Sequence, residues 1–202
     1  MSRSDPVNLG DLFDPEADPD KTALIAVDAD GNARHFSYRA LERAIVALST
    51  ELTERGFRRG ARIALLGANS AEYLVAYFAI MRAGLVAVPV NIRLPQATIH
   101  FILGDAAAEF AFADRVRLAA LPPVLAAAAL DTVAIEDAPS APFETSAPAD
   151  REAAMILSTS GSTGRKACCC RMKGSSGRCA PASRPSPSPR RIASSSPRRS
   201  IT

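Results

Sequence analysis

Short apolar runs that alternate with amphipathic segments constrain the fold of this 202-residue chain more than any other feature. The runs RIALLG at 62–67, LVAVPV at 85–90 and EFAFAD at 109–114 have the length and composition of buried strands. The helical segments between them are long enough to return the chain and place the next strand parallel to the last. This alternation predicts the α/β class, with a mostly parallel sheet flanked by helices.

Three helices are predicted from apolar residues at helical spacing, one before the first of these strands and one in each interval between them. The first ends near Gly56, which suits the left-handed conformation of a helix C-terminus. The second begins at Asn69 or Ser70, whose side chains can cap it, and ends at Gly84. The third begins at Pro95, which fits a first helical turn.

The remaining elements are predicted from local patterns. The pair Asp30-Gly31 indicates a tight hairpin turn between two short strands. The Ala- and Leu-rich residues 115–130 indicate a helix, and TVAI at 132–135 indicates a strand. Residues 136–150 are a Pro-rich connection, after which AAMILSTS at 153–160 is a further buried strand.

The composition changes abruptly at Lys166. Residues 166–202 contain nine Lys or Arg and no Asp or Glu, so their formal charge is +9 and that of residues 1–165 is −6. They also contain nine Ser and five Pro but no Leu, Val, Phe or Tyr, which is too little apolar surface to offset chain entropy. The sequence therefore predicts a folded domain over residues 8–166 and a disordered basic Arg/Ser/Pro tail over residues 167–202.

The positions of the cysteines and the lengths of the apolar runs indicate the cellular compartment. All four cysteines lie in the tail, and three of them are adjacent, which makes it difficult for them to converge on one tetrahedral ion. We therefore expect no metal site. The N-terminus lacks the pattern of a signal peptide, and no apolar run reaches the ~18 residues of a membrane span. A cytoplasmic protein without a membrane span is expected.

Residues 158–166, with the sequence STSGSTGRK, are called here the Ser/Gly loop. Small residues allow backbone N–H groups to converge on an anion, hydroxyls add donors, and the basic pair offsets phosphate charge. Two residues separate Gly161 from Gly164, so the loop is not a Walker A motif, which requires four. The pattern indicates a triphosphate site, and a flexible Ser/Gly linker is the alternative.

The segment TSGSTGRK resembles the phosphate-binding signature of the adenylate-forming superfamily, which includes the acyl-CoA synthetases. Thr-Ser-Gly-(Ser/Thr)-Thr-Gly-x-Pro-Lys-Gly is typical of that family. Residues 36–106, FSYRAL through ILGDA, are similar to its N-terminal region in order and spacing. The resemblance covers roughly residues 8–166, and it implies the N-terminal part of the large domain of these ligases.

The resemblance implies a two-step ligase. In that family the carboxylate of a small acid attacks the α-phosphate of ATP, with Mg²⁺, to give an acyl-adenylate and pyrophosphate, and coenzyme A then displaces AMP, as in fatty acid activation. Lys166 would match the loop lysine, although the proline expected between Arg165 and Lys166 is absent. The residues that would hold the β- and γ-phosphates are Thr159, Ser160, Gly161, Ser162, Thr163 and Gly164.

The family elements expected after the loop are not found in this sequence. They are the adenine-binding segment, the acidic residue for the ribose, the hinge, and the C-terminal domain with the catalytic lysine. No catalytic residue is therefore assigned, and we expect a truncated, inactive fragment.

A frameshift near Lys166 would explain the change in composition. With one base inserted after that codon, synonymous codons allow residues 167–177 to read Gly-Val-Leu-Leu-Ser-His-Glu-Gly-Leu-Val-Gly, which resembles the family's continuation. The other codons are chosen among synonyms. At the junction of Met172 and Lys173, however, every permitted codon pair reads Glu in the shifted frame. The alternative is a basic-tailed nucleic-acid-binding protein, whose affinity would fall steeply with salt. A nucleic-acid partner is not favoured.

Overall fold

The computed structural model of the protein describes most of the chain up to Arg171. From Thr159 onward, it describes the backbone alone. The described ranges are 8–11, 17–140, 142–147, 152–161, 164–171 and 180–181.

In the described residues, the regular structure consists of strands in two sheets, four α-helices and one 3-10 turn. A two-stranded antiparallel ribbon contains β1 (Thr22–Val27) and β2 (Ala33–Ser37). The larger sheet contains β3 (Arg62–Leu66), β4 (Val86–Pro89), β5 (Ala108–Ala113), β6 (Ala126–Ala129), β7 (Ala153–Gly161), β8 (Gly164–Arg171) and β9 (Ala180–Pro181). The helices are α1 (Tyr38–Glu54), α2 (Ala71–Arg82), α3 (Gln96–Asp105) and α4 (Arg115–Leu118).

The larger sheet has the strand order β6-β5-β3-β4-β7-β8-β9. The five strands from β6 to β7 run parallel, whereas β8 and β9 are antiparallel to their neighbours. The predicted α/β class with a mostly parallel sheet flanked by helices is therefore confirmed.

Helices cover the two faces of this sheet with separate hydrophobic clusters. On one face, α1 and α2 bury Leu41, Ile45 and Ile80 against Ile63 and Leu65 of β3. On the other face, α3 packs against the alternate residues of β3 and β4. The side-chain period of two in each strand supplies both faces, which is why these strands are almost uniformly apolar.

Local signals at the helix ends agree with the predictions. Ser37 caps α1 by accepting a hydrogen bond from the Ala40 N–H at 3.2 Å, and Ser70 caps α2 in the same way. Gly56 and Gly84 follow these two helices with φ angles of 79° and 73°. Glycine reaches this left-handed region without the steric cost of a Cβ atom.

Two sequence predictions in the region 115–135 are wrong. The predicted helix over 115–130 ends at Leu118, because Pro122 and Pro123 interrupt it, and residues 126–129 pair with β5 as an edge strand. The predicted strand over 132–135 is absent, because a 3-10 turn occupies Leu130–Thr132 and residues 133–135 form no strand. Strand pairing has overridden the helical propensity of alanine.

The predicted domain boundary at 166/167 stays a prediction. Residues 164–171 form β8, which pairs with β7 across that position. Strand pairing uses backbone groups, so it does not require apolar side chains in β8. The rest of the predicted tail lies outside the described residues, apart from Ala180–Pro181. Among the residues described, no helix combines the length and hydrophobicity that a bilayer crossing needs.

Candidate functional site

The parallel strands end at a topological switch point between β3 and β4. Helix α2 leaves β3 over one face of the sheet, whereas α3 leaves β4 over the other. The two loops at the carboxyl ends of these strands therefore diverge and leave a crevice. In open α/β sheets, ligands bind in such a crevice.

A cleft of about 500 Å³ lies at this point. Three chain segments form it: Gly67–Asn69 after β3, Val90–Arg93 after β4, and Leu157–Ser158 in β7. Its size falls within the range of small-molecule sites, about 300–1,000 Å³. Ser158 is also the first residue of the Ser/Gly loop, so the loop begins in the wall of the cleft.

The N-terminus of α2 borders the cleft. Tyr73 of its first turn lines the wall, and the Ser70 hydroxyl accepts a hydrogen bond from the Tyr73 N–H at 3.1 Å. Burial raises the pKa of the Tyr73 hydroxyl, so that hydroxyl stays protonated at neutral pH. The wall therefore presents a neutral side chain beside the positive end of the helix dipole.

The side chain of Glu72, in the same helical turn, forms an ion pair with the two-stranded ribbon. Its carboxylate accepts a hydrogen bond from Arg34 of β2 at 2.7 Å. Burial alone would raise the pKa of Glu72, but the hydrogen bonds from Arg34, the backbone and Ser70 outweigh it, and the pKa is lowered. The pair secures the ribbon to α2.

Asn91 and Arg93 supply polar groups from the loop after β4. The Asn91 side-chain oxygen accepts a hydrogen bond from the Arg93 N–H at 2.9 Å, and both residues are exposed at the cleft. An exposed guanidinium beside a loop rich in N–H and O–H donors favours an anionic ligand. Neither residue is among those that the sequence predicts for the site, although polar residues directly after two buried strands are a signal for it.

The Ser/Gly loop includes the end of β7 and the start of β8, which pair antiparallel. In register, Thr159 pairs with Lys166, Ser160 with Arg165, and Gly161 with Gly164. The backbone thus brings the predicted loop lysine opposite the first predicted phosphate-binding residue. Ser162 and Thr163, between the strands, lie outside the described residues.

The sequence of the chain is similar to a known protein family. A protein-family model described as AMP-binding enzyme matches residues 14–172. The chain belongs to the AMP-binding enzyme family. The match includes the whole Ser/Gly loop, and the domain represents the N-terminal part of the adenylate-forming fold.

Curated relatives of this AMP-binding domain include CoA ligases. The crotonobetaine/carnitine–CoA ligase of Salmonella arizonae is 36% identical over 84 residues, which are 42% of this chain and 16% of the relative. The enzyme of the same name from Salmonella paratyphi A is 36% identical over 89 residues, or 17% of its length. The match thus spans about a sixth of the length of these ligases.

Solved structures of adenylation proteins share the fold. The N-terminal subdomain of NpsA from Klebsiella oxytoca matches with a TM-score of 0.60 and 27% identity, covering 72% of this chain and 37% of that one. The same subdomain has been solved in complex with 3-hydroxybenzoyl-AMSN. The fused adenylation–PCP di-domain NpsA-ThdA matches with a TM-score of 0.64 and 27% identity, covering 76% of this chain and 30% of that one.

Proposed function

We propose that this AMP-binding domain takes part in ATP-dependent activation of a carboxylic acid, with the Ser/Gly loop holding the β- and γ-phosphates of ATP. The observation that carries the proposal is the position of the loop. It continues from a strand that lines the switch-point cleft, so a triphosphate on the loop would lie beside that cleft. The carboxylate and the α-phosphate would then meet at the carboxyl edge of the sheet.

The residues of the loop would act through backbone donors and charge. Glycines at 161 and 164 let N–H groups approach phosphate oxygens without a Cβ atom between them. Lys166, opposite Thr159 in register, would place an ammonium group beside those oxygens. Together they would offset the charge of the pyrophosphate that leaves when the acyl-adenylate forms.

Magnesium would reach the site with the nucleotide. Among the residues that the structure describes, no group of three His, Cys, Asp or Glu side chains could hold a metal ion. This fits Mg²⁺, which commonly keeps several waters and is bound through substrate phosphates with one or two carboxylates. Bound in this way, the ion would neutralise phosphate charge.

The second substrate is proposed to be a thiol, with coenzyme A taking the acyl group from the adenylate. The curated relatives support this choice, because they are CoA ligases. Their acids, and the ligand of the NpsA subdomain, differ in chemical character. We therefore propose a small carboxylic acid as the substrate class.

Proteolytic protection tests the proposal on the 202-residue chain itself. ATP with Mg²⁺ should slow cleavage near the loop, and inorganic tripolyphosphate with Mg²⁺ should slow it as well, because the loop contacts phosphates. AMP, which lacks the β- and γ-phosphates, should protect little. Equal cleavage rates with and without ATP and tripolyphosphate would contradict the proposal.

A further inference from the structure

Arg59 joins two parts of the chain that flank residues 148–151. Its guanidinium donates to both carboxylate oxygens of Glu152, at 2.7 and 2.5 Å. It also donates to the Ser146 hydroxyl at 3.0 Å and to the Ala147 carbonyl oxygen. We call these four residues, Arg59, Ser146, Ala147 and Glu152, the Arg59 clamp.

Backbone hydrogen bonds of the neighbouring residues fix the position of Arg59. Arg59 lies in the turn between α1 and β3, in which the Ala61 N–H donates to the Arg58 carbonyl at 2.9 Å. The next residue, Gly60, has a φ of 78° and donates to the Gly84 carbonyl at 2.9 Å. Arg59 is thus fixed three residues before β3, the strand between β4 and β5.

Ser146 is fixed independently of Arg59. Its N–H donates to the Arg82 carbonyl at 3.1 Å, and its carbonyl accepts from the Asn8 side chain at 2.9 Å. Asn8 is fully buried and also donates to the Met81 carbonyl at 3.0 Å. The clamp therefore ties Glu152 to a point that other contacts already fix.

One register pair, Ala87 with Met155, joins β7 to β4, and the longer ladder of β7 is with β8, on the side away from β4. The Tyr77 hydroxyl donates to the Met155 sulfur at 3.2 Å, and Ala154 packs in the cluster under α1 and α2. Burial of alternate side chains sets which face each residue of β7 occupies. The Arg59 clamp adds an ion pair that holds the start of the strand.

We propose that Arg59 is a positioning residue for the Ser/Gly loop. Its ion pair with Glu152 fixes the start of β7. The pair therefore sets the position along the sheet at which Thr159 lies beside the cleft. This inference rests on the proposed phosphate-binding function of that loop. Arg59 itself lies at the opposite end of β7 and does not contact the ligand.

The test compares variants of the 202-residue chain by calorimetric binding of ATP with Mg²⁺ and of tripolyphosphate with Mg²⁺. Arg59→Gln and Glu152→Gln should each weaken binding roughly tenfold, because small misplacements of a binding group are costly. The double variant should bind no more weakly than either single one. Arg59→Lys keeps the charge but not the two-pronged geometry, so its affinity should lie between those of Arg59→Gln and the parent.

Arg55→Gln is the matched control. Arg55 also forms an exposed ion pair, with Glu51 at 2.6 Å, and it lies at the end of α1, four residues before Arg59. Loss of this ion pair should leave the affinity for ATP and for tripolyphosphate unchanged. Backbone hydrogen exchange of residues 153–158 should accelerate in Arg59→Gln and not in Arg55→Gln, with global stability measured separately by denaturation.

The outcomes separate the two proposals. If the parent chain binds both ligands and Arg59→Gln binds them equally well, the positioning role is wrong. Equal losses in Arg59→Gln and Arg55→Gln, or additive losses in the double variant, also contradict it. If the parent chain binds neither ligand, the proposed function fails, and unchanged exchange of residues 153–158 in Arg59→Gln would overturn the clamp as well.

Discussion

Arg82, the last residue of α2, donates a hydrogen bond of 2.5 Å to Glu42 of α1, although only 4% of its side chain is exposed. It also pairs with Asp11 at 3.0 Å and donates to the Gly10 carbonyl at 3.1 Å. A buried guanidinium is tolerated because these oxygens accept from its two terminal nitrogens, whereas its Nε has no hydrogen-bond partner among the described residues. One side chain thereby holds the N-terminal segment 8–11 against both helices.

Replacing Arg82 with Met should lower the free energy of unfolding by about 2–3 kcal/mol. Breaking a fully buried pair costs about 3–5 kcal/mol, and the two carboxylates here can partly rehydrate. Chemical denaturation measures the change. The control is Arg39→Met, which removes an exposed pair with Asp20 and should cost less than about 1 kcal/mol. An Arg82→Met chain as stable as the parent would contradict this account.

Gly84 should tolerate alanine less well than Gly31. Both have left-handed φ angles, 73° and 86°, so alanine is strained at each by about 1–2 kcal/mol. At Gly31 an added Cβ meets open space, whereas at Gly84 it would lie 2.5 Å from the Ser146 hydroxyl oxygen. Thermal unfolding should therefore show the larger loss for Gly84→Ala. Equal losses at the two sites would mean that Ser146 does not pack against Gly84.

The Glu72–Arg34 pair should make stability depend on pH. Because the pKa of Glu72 is lowered in the folded state, its contribution is present above the unfolded-state pKa of about 4.3 and is lost as pH falls through the folded-state pKa. Near pH 7, Glu72→Gln should cost up to about 1 kcal/mol. That difference should shrink below pH 4. A difference that stays constant from pH 7 to pH 3 would contradict the assignment.

The sequence predicted the framework of the sheet because its signals are local and redundant. Apolar strands, the Ser70 cap, and glycines at 56 and 84 each mark an element without reference to the rest of the chain. In the Ala-rich segment 115–130, Pro122 and Pro123 are a local signal against a continuous helix, but no local signal marks the strand that follows. Its strand pairing with β5 depends on a tertiary neighbour, and propensity alone predicted a helix.

The candidate site was only half predictable for the same reason. The Ser/Gly loop is one continuous motif, so its composition indicates phosphate chemistry directly. The cleft beside it combines residues of α2 and β7 with the loops after β3 and β4, which only the parallel sheet brings together. The Arg59 clamp spans 93 residues of sequence, and no local pattern marks Arg59 or Glu152 as partners.

The change in composition at Lys166 makes a prediction at the level of DNA. If a frameshift produced it, an independent read across the codons for Gly164 to Gly177 should show that one inserted base restores Gly-Val, an apolar pair and Ser-His. Strand β8 does not decide the matter, since pairing with β7 uses the backbone. A read that confirms the present frame, with no family continuation in a neighbouring one, would contradict the frameshift.

The central claim is that the Ser/Gly loop binds the phosphates of ATP, and equilibrium binding of ATP with Mg²⁺ to loop variants tests it most directly. The decisive comparison is Gly161→Val against Gly104→Val, because Gly104 is exposed, has open space around it and lies on α3, outside the loop. We predict saturable binding by the parent chain and by Gly104→Val, with at least a tenfold loss in Gly161→Val, whose side chain would obstruct the approach of phosphate to the backbone. Equal affinity in all three chains, or no binding by the parent, would contradict the claim.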